Sequence, residues 1–156
     1  AALAKAPAGA KEFFKIARDS TAPYVAAGSF KTFSAGQSPL PGLVEATLEA
    51  GHTPGSTTYR FTSQQQSIVF MGDLVHNLAV QFLHPEVSIG FDVNSQQAIS
   101  SRQAVFSAAA ASKTWVTAAH LPFPGIGHIT AEGKHFQWVP VEYGPYKRAA
   151  KVPLIE

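Results

Sequence analysis

The chain alternates between short strand-like segments and loops that contain glycine or proline, and one long helical segment breaks this alternation. Residues 43–50, LVEATLEA, alternate apolar and polar side chains as a half-buried strand does. The runs STTYRFT (56–62) and SIVFM (67–71) flank the polar SQQQ and predict two strands joined by a short loop. TWVTAA (114–119) predicts a buried strand, and HFQWVPV (135–141) predicts the last one. Strand ends that lead into irregular loops, together with helical segments, indicate an α/β fold.

Two segments have helical character, and a third is predicted to be irregular. The apolar residues within 8–19 indicate a helix near the start of the chain. From about Asn94 to Ser112 the apolar residues fall on one side, and Asn94 or Ser95 stands where a helix N-cap is expected. The segment HLPFPGIGH (120–128) contains two prolines and two glycines, which predict a loop.

The composition indicates one globular unit. With 46% hydrophobic and 14% charged residues, the 156-residue chain can form one core and matches no disordered or collagen-like class. It contains no run of about 18 apolar residues, so no membrane-spanning helix is expected. The net charge is only +2, and the basic residues are scattered apart from Lys147, Arg148 and Lys151, which we interpret as a solvated terminus. Neither nucleic acid nor a membrane is therefore an expected partner.

The chain has no cysteine. Disulfides and thiolate metal sites are thereby excluded, which leaves histidine, aspartate and glutamate as ligands for a transition metal. An absence of cysteine is also compatible with an oxidising compartment.

Three of the potential ligands follow a predicted strand or its turn, namely His52, Asp73 and His120. A sheet fixes the backbone at such positions while the following loop directs the side chain, as metal sites require. Each residue alone has an ordinary alternative, because His52 could be a turn histidine, Asp73 a cap and His120 a satisfied strand-end histidine. Surface or packing roles are the better interpretation of the histidines at positions 84, 128 and 135.

The segments GHTPGST (51–57), FMGDLV (70–75) and AAHLPFPGIGHI (118–129) occur in this order, with the longest helix between the second and the third. This arrangement resembles the C-terminal half of the metallo-β-lactamase superfamily. Within it, the sequence is most similar to the methyl parathion hydrolase branch of binuclear zinc hydrolases. The similarity lies in the run HLPFPGIGHITAEGKHFQWVPVEY, in VQF with Pro85 and in FDVN with Arg102. The resemblance implies an αββα sandwich, of which residues 1–156 would be the C-terminal part of a single domain.

The resemblance also implies site residues and cofactors. His52 corresponds to a ligand of one metal ion, His120 to a ligand of the other, and Asp73 to the catalytic carboxylate that bridges two divalent ions, in the first place Zn²⁺. Hydroxide held between the ions would hydrolyse small-molecule esters, lactones or organophosphate triesters. In the resembling enzymes, the positions of Phe14, His76 and Phe91 line the substrate pocket, although core packing is an equal interpretation of each. Asp92 and Arg102 are interpreted as a structural ion pair.

One departure from the family is clear. The motif HxHxDH, which supplies the other four ligands from the N-terminal half of the fold, does not occur in this sequence. Each ion would therefore receive one histidine and a share of Asp73, fewer than the three or four protein ligands of a typical zinc site. We accordingly expect the chain to be one half of the fold, inactive alone, with the N-terminal half as its partner; a homodimer is left open.

Two other interpretations stay open at this point. The chain could be a non-catalytic binding or structural module that keeps the fold without a complete metal site. It could also be a small α/β domain with ordinary histidines, although half a sandwich would leave an apolar sheet face uncovered. The family resemblance and the absence of cysteine suggest a periplasmic or secreted protein.

Overall fold

The computed structural model describes residues 8–144, and the basic cluster Lys147, Arg148 and Lys151 lies outside them. The chain forms two compact units, Ala1–Ser34 and Ala35–Glu156. The first contains helix α1 (Ala8–Ala26), which confirms the predicted helix over 8–19 and extends it through Pro23. Among residues 8–144, no helix combines the length and apolar character that a bilayer span requires.

The second unit is built on a six-stranded sheet, and the mixed α/β class is as predicted. The strands lie side by side in the order of the chain and have these bounds: β1 (Val44–Leu48), β2 (Thr57–Ser63), β3 (Gln66–Phe70), β4 (Trp115–Thr117), β5 (Ile126–Glu132) and β6 (His135–Pro140). Neighbouring strands are antiparallel except β3 and β4, which are parallel. A parallel pair needs a long crossover connection, and the chain between β3 and β4 supplies it.

That crossover contains a 3₁₀ turn (Gly72–Leu74), the short helix α2 (Leu78–Gln81) and the long helix α3 (Ser95–Ser112). The predicted N-cap of α3 is confirmed, because the Asn94 side chain accepts a hydrogen bond of 3.0 Å from Gln97 N. Lys113 ends the helix in the left-handed conformation, with a φ of 51°.

One prediction about the strands was wrong. The glycines and prolines of HLPFPGIGH indicated a loop to residue 128, but the loop ends at Gly125 and β5 begins at Ile126. Gly127 pairs with Pro140 of β6, and a Cβ atom at Gly127 would lie 2.3 Å from the carbonyl oxygen of Val139. This glycine allows a close approach of two strands instead of a turn.

The core lies on one face of the sheet. Val69 and Val116 of the central strands pack there with Phe106 of α3. The same cluster includes Met71, Leu74, Val75, Phe82, Ala109, Ala118, Leu121, Ile129 and Phe136.

The opposite face carries large apolar side chains that are exposed. They are Phe70 (43%), Trp115 (36%), Ile126 (36%) and Val139 (44%). A surface groove on this face is also lined by Phe61 and Ile68. The described unit therefore has one covered and one open sheet face.

Candidate functional site

Asp73 and His120 are brought together by the parallel pairing of β3 and β4. Phe70 and Thr117 are register partners at the ends of these strands, and Asp73 and His120 each lie three residues further along. Two backbone hydrogen bonds continue the pairing into the loops: Met71 N to Thr117 O (2.8 Å) and Ala119 N to Gly72 O (3.2 Å). The two side chains consequently emerge at the same edge of the sheet.

The loop with His52 reaches this edge from the hairpin between β1 and β2. Gly51 adopts a φ of +144°, and a Cβ atom there would lie 2.1 Å from Ala98 N in the first turn of α3. Asn94 N donates to Gly51 O (2.9 Å) and Val93 N to His52 O (3.1 Å). The glycine thus lets the loop lie directly against the start of α3, which fixes the position of His52.

The three predicted residues meet around the Asp73 carboxylate. His120 Nε2 lies 3.1 Å from Asp73 Oδ1, and His52 Nε2 lies 3.7 Å from Asp73 Oδ2. Each carboxylate oxygen therefore faces a different imidazole. The side chains of Asp73 and His120 are 46% and 47% exposed, whereas that of His52 is 19% exposed.

His76 stands between the two other histidines. Its ring centroid is 4.7 Å from that of His52 and 4.6 Å from that of His120, on which it stacks at 26°. One ligand atom from each of Asp73, His76 and His120 lies within 4.8 Å of the others, so these three could hold a metal ion. Among the described residues, His76 Nδ1 is the buried side-chain atom without a hydrogen-bond partner.

Burial lowers the pKa of His76, and the neighbouring His52 and His120 lower it further, against the opposing effect of Asp73 and Asp92. The neutral ring that results can accept a hydrogen bond or bind a metal ion. Its backbone is held by Gln81, whose buried side chain accepts a hydrogen bond of 2.7 Å from His76 N.

Asp92 joins the site from the segment before α3, a contact that was not predicted from the sequence. Its Oδ1 lies 3.1 Å from His52 Nδ1, and its Oδ2 lies 4.0 Å from Arg102 Nη2. The side chains of Asp92 and Arg102 are each 1% exposed. The expected structural ion pair is present, but its aspartate also contacts a candidate ligand 40 positions away.

The two aromatic residues that were predicted to contact substrate lie in different parts of the chain. Phe91 immediately precedes Asp92 and is 80% exposed. Phe14 lies in α1, in the first unit of the chain. Their proposed contact with substrate stays a prediction.

The donor set fits a divalent metal ion. Imidazole nitrogens and carboxylate oxygens are ligands that zinc accepts. When it is ionised, the Asp92 carboxylate can only accept a hydrogen bond from His52 Nδ1, which leaves His52 Nε2 as the ligand atom on the side of Asp73. Among the residues that the structure describes here, the set is too small to complete two tetrahedral sites.

No protein-family model and no curated protein matches the chain. Solved structures do. The hydrolase AbOPH of the beta lactamase superfamily has a TM-score of 0.82 and 35% sequence identity, covering 91% of this chain and 50% of that protein. AidC, a dizinc quorum-quenching lactonase, has a TM-score of 0.71 and 26% identity, covering 76% of this chain and 40% of AidC.

A probable metal-dependent hydrolase from Staphylococcus aureus shares the fold at 19% identity, with a TM-score of 0.60, and the match covers 75% of this chain and 42% of that protein. The chain thus spans half or less of the length of these structures. The chain has the α/β fold of the metallo-β-lactamase superfamily hydrolases over about half of their length.

Proposed function

We propose that the chain is the C-terminal part of a metal-dependent hydrolase of the metallo-β-lactamase superfamily, in its methyl parathion hydrolase-like branch. Its substrates would be small esters, lactones or organophosphates. The proposal rests mainly on the meeting of His52, Asp73 and His120 at one edge of the sheet. Similarity to AbOPH and to a dizinc lactonase supports it.

In this proposal Asp73 is the central ligand. Its two oxygens face different imidazoles, so the carboxylate could serve as a ligand to two ions at once. His52 would hold one ion and His120 the other. Two divalent ions, in the first place Zn²⁺, would supply a water of lowered pKa and would polarise the carbonyl or phosphoryl oxygen of the substrate. The negative charge of Asp73 offsets part of the metal charge.

His76, Phe14 and Phe91 are the proposed substrate contacts. The stacked rings of His76 and His120 form a flat surface beside Asp73. Because His76 Nδ1 is buried, the other ring nitrogen, Nε2, would provide the polar contact to a substrate group. The exposed ring of Phe91 would cover an apolar part of the substrate.

The remaining metal ligands would come from the N-terminal half of the fold. That half would also cover the open sheet face, where Phe70 and Trp115 are exposed. Without it the chain would be inactive, because each ion lacks ligands. A periplasmic or secreted location is part of the proposal and rests on the family resemblance and the absence of cysteine.

The decisive experiment replaces Asp73 with alanine in the complete protein, meaning a chain that also carries the N-terminal half. We expect hydrolysis to fall below detection and bound metal to decrease, because one substitution removes a ligand from both ions. Asp19→Ala, on the exposed surface of α1, is the matched control and should keep both. Full activity of the Asp73→Ala protein would rule out the binuclear mechanism.

The alternative is a non-catalytic binding or structural module, which the absence of an HxHxDH motif favours. Metal analysis of the purified complete protein separates the two. About two divalent ions per chain would support the hydrolase, whereas a protein without metal and without esterase, lactonase or phosphotriesterase activity would support the module.

A further inference from the structure

The Asp92 carboxylate contacts His52 on the side of the imidazole ring that faces away from Asp73. Asp92 Oδ1 lies 3.1 Å from His52 Nδ1, while His52 Nε2 points to Asp73 Oδ2 at 3.7 Å. An ionised carboxylate has no proton to donate, so His52 Nδ1 is the donor in this contact when Asp92 is ionised. A neutral His52 ring with its proton on Nδ1 presents the Nε2 lone pair toward Asp73.

Asp92 is itself held in place. Its Oδ2 accepts a hydrogen bond of 3.0 Å from Ile89 N, and Arg102 Nη2 lies 4.0 Å away. The side chain is 1% exposed, so its negative charge requires a partner, and Arg102 provides one. The orientation of the carboxylate toward His52 is therefore fixed before any ligand binds.

Arg102 connects this contact to the Asp73 loop. Its Nε donates to Leu74 O (2.9 Å), and Leu74 follows Asp73 directly. Its Nη1 donates to Pro85 O and Val87 O, each at 2.8 Å, in the segment that leads to Asp92. One buried guanidinium thus fixes the backbone beside Asp73 and neutralises the carboxylate that contacts His52.

We propose that Asp92 is a positioning residue for His52. Arg102 contacts both Asp92 and the Asp73 loop, so the same buried arginine helps to position both candidate ligands, His52 and Asp73. Asp92 selects the tautomer of His52 and fixes the ring plane, and it acts through Nδ1, whereas Nε2 faces Asp73. The metal-binding consequence rests on the proposed function; the tautomer of His52 does not.

Asp92→Asn is the test, because it keeps the size of the side chain and removes one acceptor. If the amide oxygen keeps the bond from Ile89 N, the amide NH₂ faces His52 Nδ1 and donates to it. Nε2 then carries the proton and cannot bind a metal ion without a change of tautomer. Partner residues of this kind typically change metal affinity by about 10–100-fold.

Two measurements on the complete protein are needed. Nitrogen chemical shifts from NMR of the metal-free protein report the His52 tautomer, and competition with a chelator gives the dissociation constant of each metal ion. We expect the Asp92→Asn protein to shift to the Nε2–H tautomer and to bind one of its ions about 10–100-fold more weakly. Glu86→Gln, which neutralises an exposed carboxylate in the same segment, should change neither.

The outcomes separate the two proposals. An unchanged Nδ1–H tautomer in a folded Asp92→Asn protein overturns the positioning role. A changed tautomer with both metal affinities unchanged overturns the link to metal binding. If the wild-type complete protein binds no metal, the proposed function fails, and the NMR result still decides the role of Asp92. Should Asp92→Asn not fold, the His52 tautomer of the wild-type protein decides the positioning role, because a proton on Nδ1 supports it and a proton on Nε2 overturns it.

Discussion

His76 occupies a position that is open to two chemical interpretations. Its ring lies between those of His52 and His120, and its Nδ1 has no hydrogen-bond partner among residues 8–144. As a substrate contact it would affect the binding of substrate, whereas as a ligand with Asp73 and His120 it would affect the metal. The two interpretations can be separated by a substitution that keeps the ring.

We predict that His76→Phe in the complete protein leaves the metal content unchanged and raises KM about three- to tenfold. Phenylalanine keeps a flat ring on His120 but loses both ring nitrogens, and a single hydrogen bond contributes about 0.5–1.5 kcal/mol. Steady-state kinetics and metal analysis of the same samples check this. A loss of one ion would contradict the prediction and would make His76 a ligand.

At the scale of single residues, the sequence was sufficient to identify His52, Asp73 and His120 as candidates, because each follows a strand or its turn. The contact between His52 and Asp92 could not be predicted. It joins residues 40 positions apart and depends on how the loop around Gly51 lies against the start of α3. No local propensity or spacing encodes such a contact.

The hairpin loop before β2 depends on one glycine. We predict that Gly51→Ala destabilises the protein by about 3 kcal/mol or more, because its Cβ would lie 2.1 Å from Ala98 N and its φ is +144°. His52 would move with the loop, so we also expect a lower metal content in the complete protein. Chemical denaturation and metal analysis measure the two effects.

Gly55→Ala is the matched control in the same loop, because a Cβ atom there would have no neighbour within 4 Å. It should change the free energy of unfolding by less than about 0.5 kcal/mol. Equal effects of the two substitutions would show that the loop does not depend on its approach to α3.

At the scale of elements, local patterns predicted β1 to β4, β6 and the long helix, but not β5. Alternation of apolar and polar residues marks a strand wherever one face is buried. At the start of β5 the sequence reads Gly125-Ile126-Gly127 after two prolines, which is typical of a loop. The pairing of Gly127 with Pro140 in β6 overrides this local preference, because the sheet needs a residue without a side chain there.

The length of the turn between β2 and β3 was also not predicted correctly from the sequence. The sequence indicated a loop of four residues, SQQQ, but only Gln64 and Gln65 lie outside the strands. Both have a positive φ, 49° and 64°, which is the geometry of a tight hairpin turn. Asparagine and glycine normally signal such a turn, so two glutamines gave no indication of it.

For the whole molecule, the main question is what covers the second face of the sheet. The sequence led us to expect an uncovered apolar face, because the motif of the other half of the fold is missing. The structure has exposed apolar residues on that face, and the similar solved structures are about twice as long as this chain. That the N-terminal half covers this face stays a prediction, and it can be tested by stability measurements.

Val139 and Val116 allow a matched comparison, because they lie on opposite faces of the same sheet. Val139 is 44% exposed on the open face, and Val116 is 0% exposed under α3. Valine to threonine keeps the shape and exchanges a methyl group for a hydroxyl, which costs about 1–3 kcal/mol where the group is buried without a partner and little at the surface.

We predict that in the complete protein Val139→Thr and Val116→Thr lower the free energy of unfolding by similar amounts, about 1–3 kcal/mol each. The physical reason is that the second half of the sandwich would bury Val139 as α3 buries Val116. Urea denaturation of the two variants and the wild type measures the difference. If only Val116→Thr were destabilising, the open face would be exposed to water in the complete protein as well, and the sandwich proposed for this chain would be wrong.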